Sequence, residues 1–234
     1  MVKRFPQIHD GDVFNQSVDF SQPVFHPSRL DKPLHWRKPR RIGVCFLGDL
    51  FDDQVPFEWI DKVFEKICEG RGRHSFFILT KQVTRMAEWF EYAKDRYSGW
   101  FNNGHLDLWD TYLGVSITDQ EDADRMTPEL LRIPGKHWIS IEPMIGEVDI
   151  DWALGEIEST RLPYIGWVVM GCESGPKRRP ASLEWFRSIR DQCKAAGVPL
   201  WIKQLTLQNK ICHVTGDINL FPEDLRIREY AKNT

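Results

Sequence analysis

Short apolar runs and helical apolar patterns alternate along most of the chain. Six runs are almost continuously apolar, which is typical of strands that are buried on both faces of a parallel sheet. These runs cover residues 41–49, 74–81, 111–119, 137–144, 164–174 and 199–205. Between them, apolar residues recur at three- and four-residue spacing, which predicts amphipathic helices. The predicted helices cover residues 56–70, 83–97, 120–133 (restarting at Pro128), 150–160 and 182–197.

Strands that alternate with helices in this way indicate βαβ units with right-handed crossovers. We therefore predict an α/β fold, a single domain of repeated βα units around a parallel sheet. The pattern leaves open whether that sheet is an open doubly wound sheet or a barrel-like one. Neither a GxGxxG nor a GxxxxGK[ST] motif is present. This argues against a classical dinucleotide-binding fold and against a P-loop fold.

The composition favours a soluble globular protein without a membrane span. The 234 residues are 41% hydrophobic and 28% charged, and the net charge is −3, which gives no general electrostatic case for binding nucleic acid. No stretch of about 18 apolar residues exists, and "MVKRFPQIHDGD" lacks the apolar core of a signal peptide.

The cysteines indicate a reducing compartment. They are Cys45, Cys68, Cys172, Cys193 and Cys212. Five is an odd number, and no CxxC pair occurs, so reduced thiols and a cytoplasmic location are expected rather than a disulfide framework. The spacing also fails every compact metal-ligand pattern, and we predict no metal ligand among them.

Every predicted strand ends on a polar residue. Ligands of parallel α/β sheets bind outside the carboxyl ends of the strands, so we predict a cofactor- or substrate-binding site there. The candidate residues are Asp49, Lys81, Ser116, Asp119, Glu142, Glu173, Ser174, Lys203 and Gln204. Because an unpaired buried charge is costly, the two lysines are expected to pair with the two glutamates.

Each candidate also has a structural interpretation. Asp49 and Asp119 stand where helix N-caps are common, and a ring of ion pairs would have structural value alone. Cys172 is expected to be a packing residue rather than a nucleophile, because no histidine lies near it in sequence. The basic clusters "RRIGVCF" and "GPKRRP" fit either a phosphate-bearing partner or solvated turns.

Eight motifs, taken in order, resemble a phage-associated family of uncharacterised proteins that look like radical S-adenosylmethionine barrels. The resemblance covers roughly residues 23–230. The motifs are "FHPSRLDKPLHWRKPRRI" (25–42), "GDLFDDQVPFEWIDKVFEKI" (48–67), "ILTKQVTRM" (78–86), "YLGVSITDQEDADRM" (112–126), "ISIEPMIGEVD" (139–149), "VVMGCESGPKRRP" (168–180), "IRDQCKAAGVPLWIKQ" (189–204) and "PEDLRIREY" (222–230).

The resemblance implies a partial (β/α) barrel of about six parallel strands, TIM-barrel-like. It would have an irregular N-terminal segment (1–40), the barrel itself (41–205) and a C-terminal extension (206–234). It also implies a [4Fe-4S] cluster on three closely spaced N-terminal cysteines, which binds and cleaves S-adenosylmethionine. The residues at the strand ends would then hold cofactor or substrate, and the phage setting implies a nucleotide or nucleic acid as partner.

The chain departs from this pattern at the cluster, because no cysteine precedes Cys45. Either Met1 is an internal methionine and the cysteine segment is missing or separately encoded, or the chain is a cluster-less relative. The first case predicts the barrel body of a radical S-adenosylmethionine-type enzyme, inactive as it stands. The second predicts a non-catalytic module that binds a nucleotide, nucleic acid or protein. A hydrolase or lyase with Glu142 and Glu173 as an acid–base pair is a further alternative.

Overall fold

The structure is a computed structural model that describes most of the chain. The described residues are 22–70, 72–97, 101–102, 105–106, 110–155, 164–175, 177–207, 210–212 and 218–232. The first part of the predicted irregular segment, residues 1–21, lies outside them. The remainder, up to residue 40, contains the short helix α1 (Pro27–Leu30) and a 3-10 turn at Lys32–His35.

Strands and helices alternate as the apolar pattern predicts. The strands are β1 (Arg41–Val44), β2 (Ser75–Thr80), β3 (Phe101–Asn102), β4 (His105–Leu106), β5 (Thr111–Ile117), β6 (Lys136–Ile141), β7 (Ile165–Gly171), β8 (Leu200–Leu207) and β9 (Lys210–Cys212). The longer helices are α2 (Phe57–Glu69), α3 (Val83–Arg96), α4 (Gln120–Leu130) and α5 (Leu183–Ala196). No helix in these described ranges is long and apolar enough to cross a membrane.

Six parallel strands form a curled half-barrel in the order β1-β2-β5-β6-β7-β8. Strand β9 pairs antiparallel with β8, and β3 and β4 form a separate hairpin. The chain therefore has the predicted α/β fold, a single domain of repeated βα units that is consistent with a TIM-like barrel. Strands β5 and β7 are buried along their whole length, which explains why their sequences are nearly continuous apolar runs.

The sheet has one apolar cluster on each face. The larger cluster joins the outer face to the buried sides of the helices, and it includes Phe64, Trp89 and Phe186. The smaller cluster lies on the concave face and is mostly aromatic. Its buried members are Phe77, Tyr112, Trp138, Trp167, Val169 and Ala231. Because side chains alternate along a strand, this face also carries the residues at positions 114, 116 and 140.

Two helix predictions were wrong in the described residues. The segment predicted as a helix at 150–160 has only a 3-10 turn at Asp151–Ala153 up to residue 155, and residues 156–163 are outside the described part. The amide of Gln192 holds this segment in place instead, accepting from the Ile150 N–H and donating to the Val148 carbonyl. Helix α4 does not restart at Pro128 but runs through it, ending two residues later.

The C-terminal residues contribute to the barrel more than their polar sequence indicates. The Glu229 N–H donates to the Leu200 carbonyl, and the Trp167 indole N–H donates to the Glu229 carbonyl. The Tyr112 hydroxyl donates to the Lys232 carbonyl at 2.9 Å. Residues 227–232 therefore pack at the amino-terminal end of the concave face and cover its aromatic cluster there.

Candidate functional site

A group of polar side chains meets at the carboxyl-terminal edge of β5, β6 and β8, on the concave side. Glu142 lies at its centre, with its Oε1 3.0 Å from Lys203 Nζ and its Oε2 accepting from the Ser140 hydroxyl at 3.2 Å. The Ser116 hydroxyl donates to the Glu142 carbonyl oxygen at 3.4 Å. We call these four residues the Glu142 cluster.

Strand register and a glycine create this arrangement. Ser116 and Ser140 are direct partners between β5 and β6, so their side chains stand next to each other on one face. Glu142 follows β6, where its N–H donates to the Ile117 carbonyl, and the Glu142–Pro143 peptide bond is cis. A Cβ atom at Gly171 on β7 would lie 2.7 Å from Glu142 Oε1, so only glycine leaves room for the carboxylate there.

Glu142 and Lys203 balance each other's charge, and both side chains remain partly accessible to solvent. The Glu142 side chain is 18% exposed and that of Lys203 is 51% exposed. An ion pair of this kind contributes little stability by itself, because water competes for the lysine. Its carboxylate, ammonium and neighbouring hydroxyls can instead offer acceptors and donors to a polar ligand that displaces that water.

Glu173, the other glutamate among the predicted site residues, is held by hydrogen bonds within its own turn. Arg179 donates to Glu173 from its backbone N–H at 2.8 Å and from its guanidinium at 2.9 Å. These hydrogen bonds lower the pKa of Glu173. The sequence suggested that one of the two lysines would pair with Glu173, but Glu173 pairs with Arg179 instead. The adjacent Ser174 is exposed.

Asp49 and Asp119 hold local structure. The Asp49 carboxylate accepts from the Thr80 hydroxyl at 2.7 Å and from the backbone N–H groups of Phe51 and Lys81. It therefore fixes the loop after β1 to the end of β2 and does not cap α2, whose N-cap is Pro56. Asp119 is the predicted N-cap, and its side chain accepts from the Asp122 N–H at 3.1 Å.

Gln204 and Cys172 are joined to each other. The Gln204 side-chain amide donates to the Cys172 carbonyl, and the Cys172 N–H donates to the Gln204 carbonyl. Burial raises the pKa of the Cys172 thiol, so it stays protonated near neutral pH. This agrees with the interpretation of Cys172 as a packing residue.

An exposed apolar pair in the turn after β1 was missed in the sequence. Phe46 and Leu47 are 54% and 62% exposed, and the Phe46 ring stacks on Trp138 with centroids 6.3 Å apart. The apolar run 41–49 predicted one strand, but pairing stops at Val44 and the run continues through a turn. The apolar run that extends to Gly48 was a possible signal for this pair. A single sequence, however, cannot show where the hydrogen bonding between β1 and β2 ends.

The described cysteines do not fit an iron–sulfur cluster. A [4Fe-4S] cluster that binds S-adenosylmethionine needs three converging thiolates. Cys45 follows β1, Cys68 is in α2, Cys172 follows β7 and Cys193 is in α5. Within the described residues, no three His, Cys, Asp or Glu side chains are close enough to hold a metal ion.

Comparison with known proteins gives one match. A family described as "Protein of unknown function (DUF5131)" matches residues 1–217. No curated protein and no solved structure matches the chain.

Proposed function

We propose that the half-barrel of this chain, which belongs to the DUF5131 family of proteins of unknown function, is the body of a radical S-adenosylmethionine-type enzyme acting on a nucleotide or nucleic acid. The observation that carries this proposal is the accessible Glu142–Lys203 pair at the carboxyl-terminal edge of a parallel half-barrel. Ligands of such sheets bind at this edge.

The chemistry of the Glu142 cluster suits S-adenosylmethionine. The amino-acid end of that cofactor has an amino group, whose N–H would donate to Glu142, and a carboxylate, to which Lys203 would donate. The hydroxyls of Ser116 and Ser140 would add neutral donors and acceptors. The exposed ring of Phe46 offers an apolar surface on which a planar base would stack.

Cleavage of S-adenosylmethionine through an iron–sulfur cluster needs thiolates that the described residues do not bring together. When bound, such a cluster supplies the electron that starts radical chemistry. This chain's own residues would bind and orient the cofactor. A separately encoded N-terminal piece is one source of the missing thiolates.

Binding of S-adenosylmethionine tests the proposal directly. Isothermal titration calorimetry on the chain should show saturable binding. The variants Glu142→Gln and Lys203→Met should each weaken it about tenfold or more, since each removes a charged hydrogen-bond partner. Glu173→Gln is the matched control, because that carboxylate already pairs with Arg179, and it should bind like the native chain. Absence of saturable binding, or equal losses in the control, would contradict the proposal.

The separation of the cysteines favours a second candidate, a cluster-less module that binds a nucleotide, nucleic acid or protein without catalysis. Anaerobic reconstitution with iron and sulfide, under a reductant such as dithionite, separates the two when the chain is extended by an upstream reading frame or combined with a separately encoded cysteine segment. Bound iron together with release of 5′-deoxyadenosine supports the enzyme. Binding of S-adenosylmethionine with neither iron nor cleavage supports the binding module.

A further inference from the structure

A strongly basic segment precedes the first strand. The sequence "WRKPRR", Trp36–Arg41, carries four cations, and the chain has no acidic residue between Asp31 and Asp49. The side chains of Arg37, Lys38, Arg40 and Arg41 are all exposed. Among the described residues, no carboxylate forms an ion pair with any of them. We call Trp36–Arg41 the basic segment.

The basic segment lies at the opposite end of the barrel from the Glu142 cluster. It leads directly into the start of β1, and the Arg40 carbonyl accepts from the Ser75 N–H at the start of β2. Because the strands are parallel, these residues mark the amino-terminal edge of the sheet. A ligand on the basic segment therefore would not occupy the proposed cofactor site.

A buried histidine holds the basic segment in one conformation. His74 is 2% exposed; its Nδ1 accepts from the Arg40 N–H at 3.2 Å, and its Nε2 donates to the Pro33 carbonyl at 2.8 Å. The Trp36 ring packs edge-on against the imidazole, with centroids 6.1 Å apart. The backbone between Pro33 and Arg40 is thus fixed before any partner binds, which lowers the ordering cost of binding.

The positive surface continues along the same edge. The Arg41 guanidinium lies 4.0 Å from the ring centroid of Tyr230, which is 49% exposed. Lys136 at the start of β6 lies 5.3 Å from the Tyr112 ring. Two carboxylates also lie on this edge: Asp110 accepts from the Gly72 N–H and Glu229 from the Leu200 N–H, and both keep their charge.

We propose that the basic segment binds the sugar–phosphate backbone of a nucleic acid. Three of its four cations are arginines, whose planar forks match phosphate oxygens and stack on aromatic rings, as Arg41 does on Tyr230. The large exposed apolar side chains of Phe46 and Leu47, which a membrane surface would need, follow β1 at the other edge. The proposal rests on this edge alone and is independent of the proposed function.

Salt-dependent binding of an oligonucleotide tests this proposal. Fluorescence anisotropy with a labelled single-stranded oligonucleotide should show binding by the native chain that weakens as salt rises. In the double variant Arg37→Gln/Lys38→Gln, affinity should fall about tenfold or more. The slope of log K against log salt should become shallower by about 1.4, since two phosphate contacts are lost. The changed side chains are exposed and form no ion pair with another described residue, so the thermal midpoint should not move.

The double variant Lys62→Gln/Lys177→Gln removes two exposed cations outside the amino-terminal edge, in α2 and in the turn after β7, and is the matched control. It should bind like the native chain. Equal weakening in the control, or no binding by the native chain, would overturn the proposal. Stronger binding to phosphatidylserine vesicles or to polyglutamate than to the oligonucleotide would also overturn it, in favour of a membrane or an acidic protein. Glu142→Gln should leave oligonucleotide binding intact, so the two proposals fail separately.

Discussion

The carboxylates at the carboxyl-terminal edge of the half-barrel differ in what they contact. Asp49 ties the loop after β1 to Thr80 at the end of β2, Asp119 accepts from the start of α4, and Glu173 accepts from Arg179 in its own turn. Glu142 instead pairs across the sheet with Lys203, whose side chain is half exposed. A ligand can compete for the Glu142–Lys203 pair at low cost, because half-exposed ion pairs stabilise the fold by at most about 1 kcal/mol.

Gly171→Ala tests the space that the Glu142 carboxylate needs. The new Cβ would lie 2.7 Å from Glu142 Oε1, so the carboxylate must move and its pair with Lys203 should break. We expect a loss of stability of about 1–3 kcal/mol and weaker ligand binding at the Glu142 cluster. Urea unfolding and calorimetry measure the two effects. Gly146→Ala is the control, because its nearest neighbour would be Asp119 Cβ at an ordinary 3.6 Å; equal effects in both variants would refute the prediction.

His137 makes the stability depend on pH. Burial lowers its pKa to about 4, below the 6.5 of an exposed histidine. Its Nε2 bonds to the Ile133 carbonyl, while its Nδ1 has no hydrogen-bond partner among the described residues. The unfolded chain therefore binds more protons between these two values. The free energy of unfolding therefore keeps its full value above about pH 6.5 and falls by about 3 kcal/mol as the pH drops towards 4.

Urea unfolding of the native chain, of His137→Gln and of His26→Gln over this pH range checks the effect. The His137→Gln variant should lose this part of the pH dependence, while His26→Gln should keep it because His26 is exposed. An unchanged pH dependence in His137→Gln would show that another group is responsible.

At the scale of elements, apolar periodicity was enough to predict the six parallel strands and four of the helices. Those elements bury a continuous face, so their patterns follow the packing. The described part of the predicted helix at 150–160 does not form, and Gln192, about forty residues away, instead holds the chain at Val148 and Ile150, where that helix would begin. The Phe46–Leu47 turn was missed for a similar reason, since an apolar run does not reveal where hydrogen bonding between strands stops.

Asp119→Ala separates capping from ligand binding. Asp119 accepts from the Asp122 N–H at the start of α4, so losing the cap should destabilise the chain by about 1 kcal/mol. Binding at the Glu142 cluster should not change. Thermal unfolding and calorimetry report the two quantities, with the exposed Asp53→Ala as a control of equal charge change. If Asp119→Ala abolished binding at unchanged stability, Asp119 would belong to the site.

At the scale of the whole molecule, parallel strands gather distant polar residues at one edge. That rule predicted which residues stand at the carboxyl-terminal edge, but not which of them meet. The meeting of Glu142 with Lys203 depends on register across β6, β7 and β8 and on the space at Gly171. The role of residues 227–232 was not predictable either, because they join the barrel mainly through backbone groups, which carry no sequence signal.

Ala231→Glu tests whether these C-terminal residues close the concave face. Ala231 is 4% exposed and packs in the aromatic cluster with Tyr112 and Trp167. A carboxylate there would be buried without a partner, so the variant should lose about 2 kcal/mol or more of stability. Lys232→Gln is the control, because Lys232 is exposed and its carbonyl still accepts from Tyr112. Urea unfolding followed by tryptophan fluorescence gives both values. Equal stability in the two variants would mean that the aromatic cluster does not depend on this segment, and that the half-barrel is stable with its amino-terminal end uncovered.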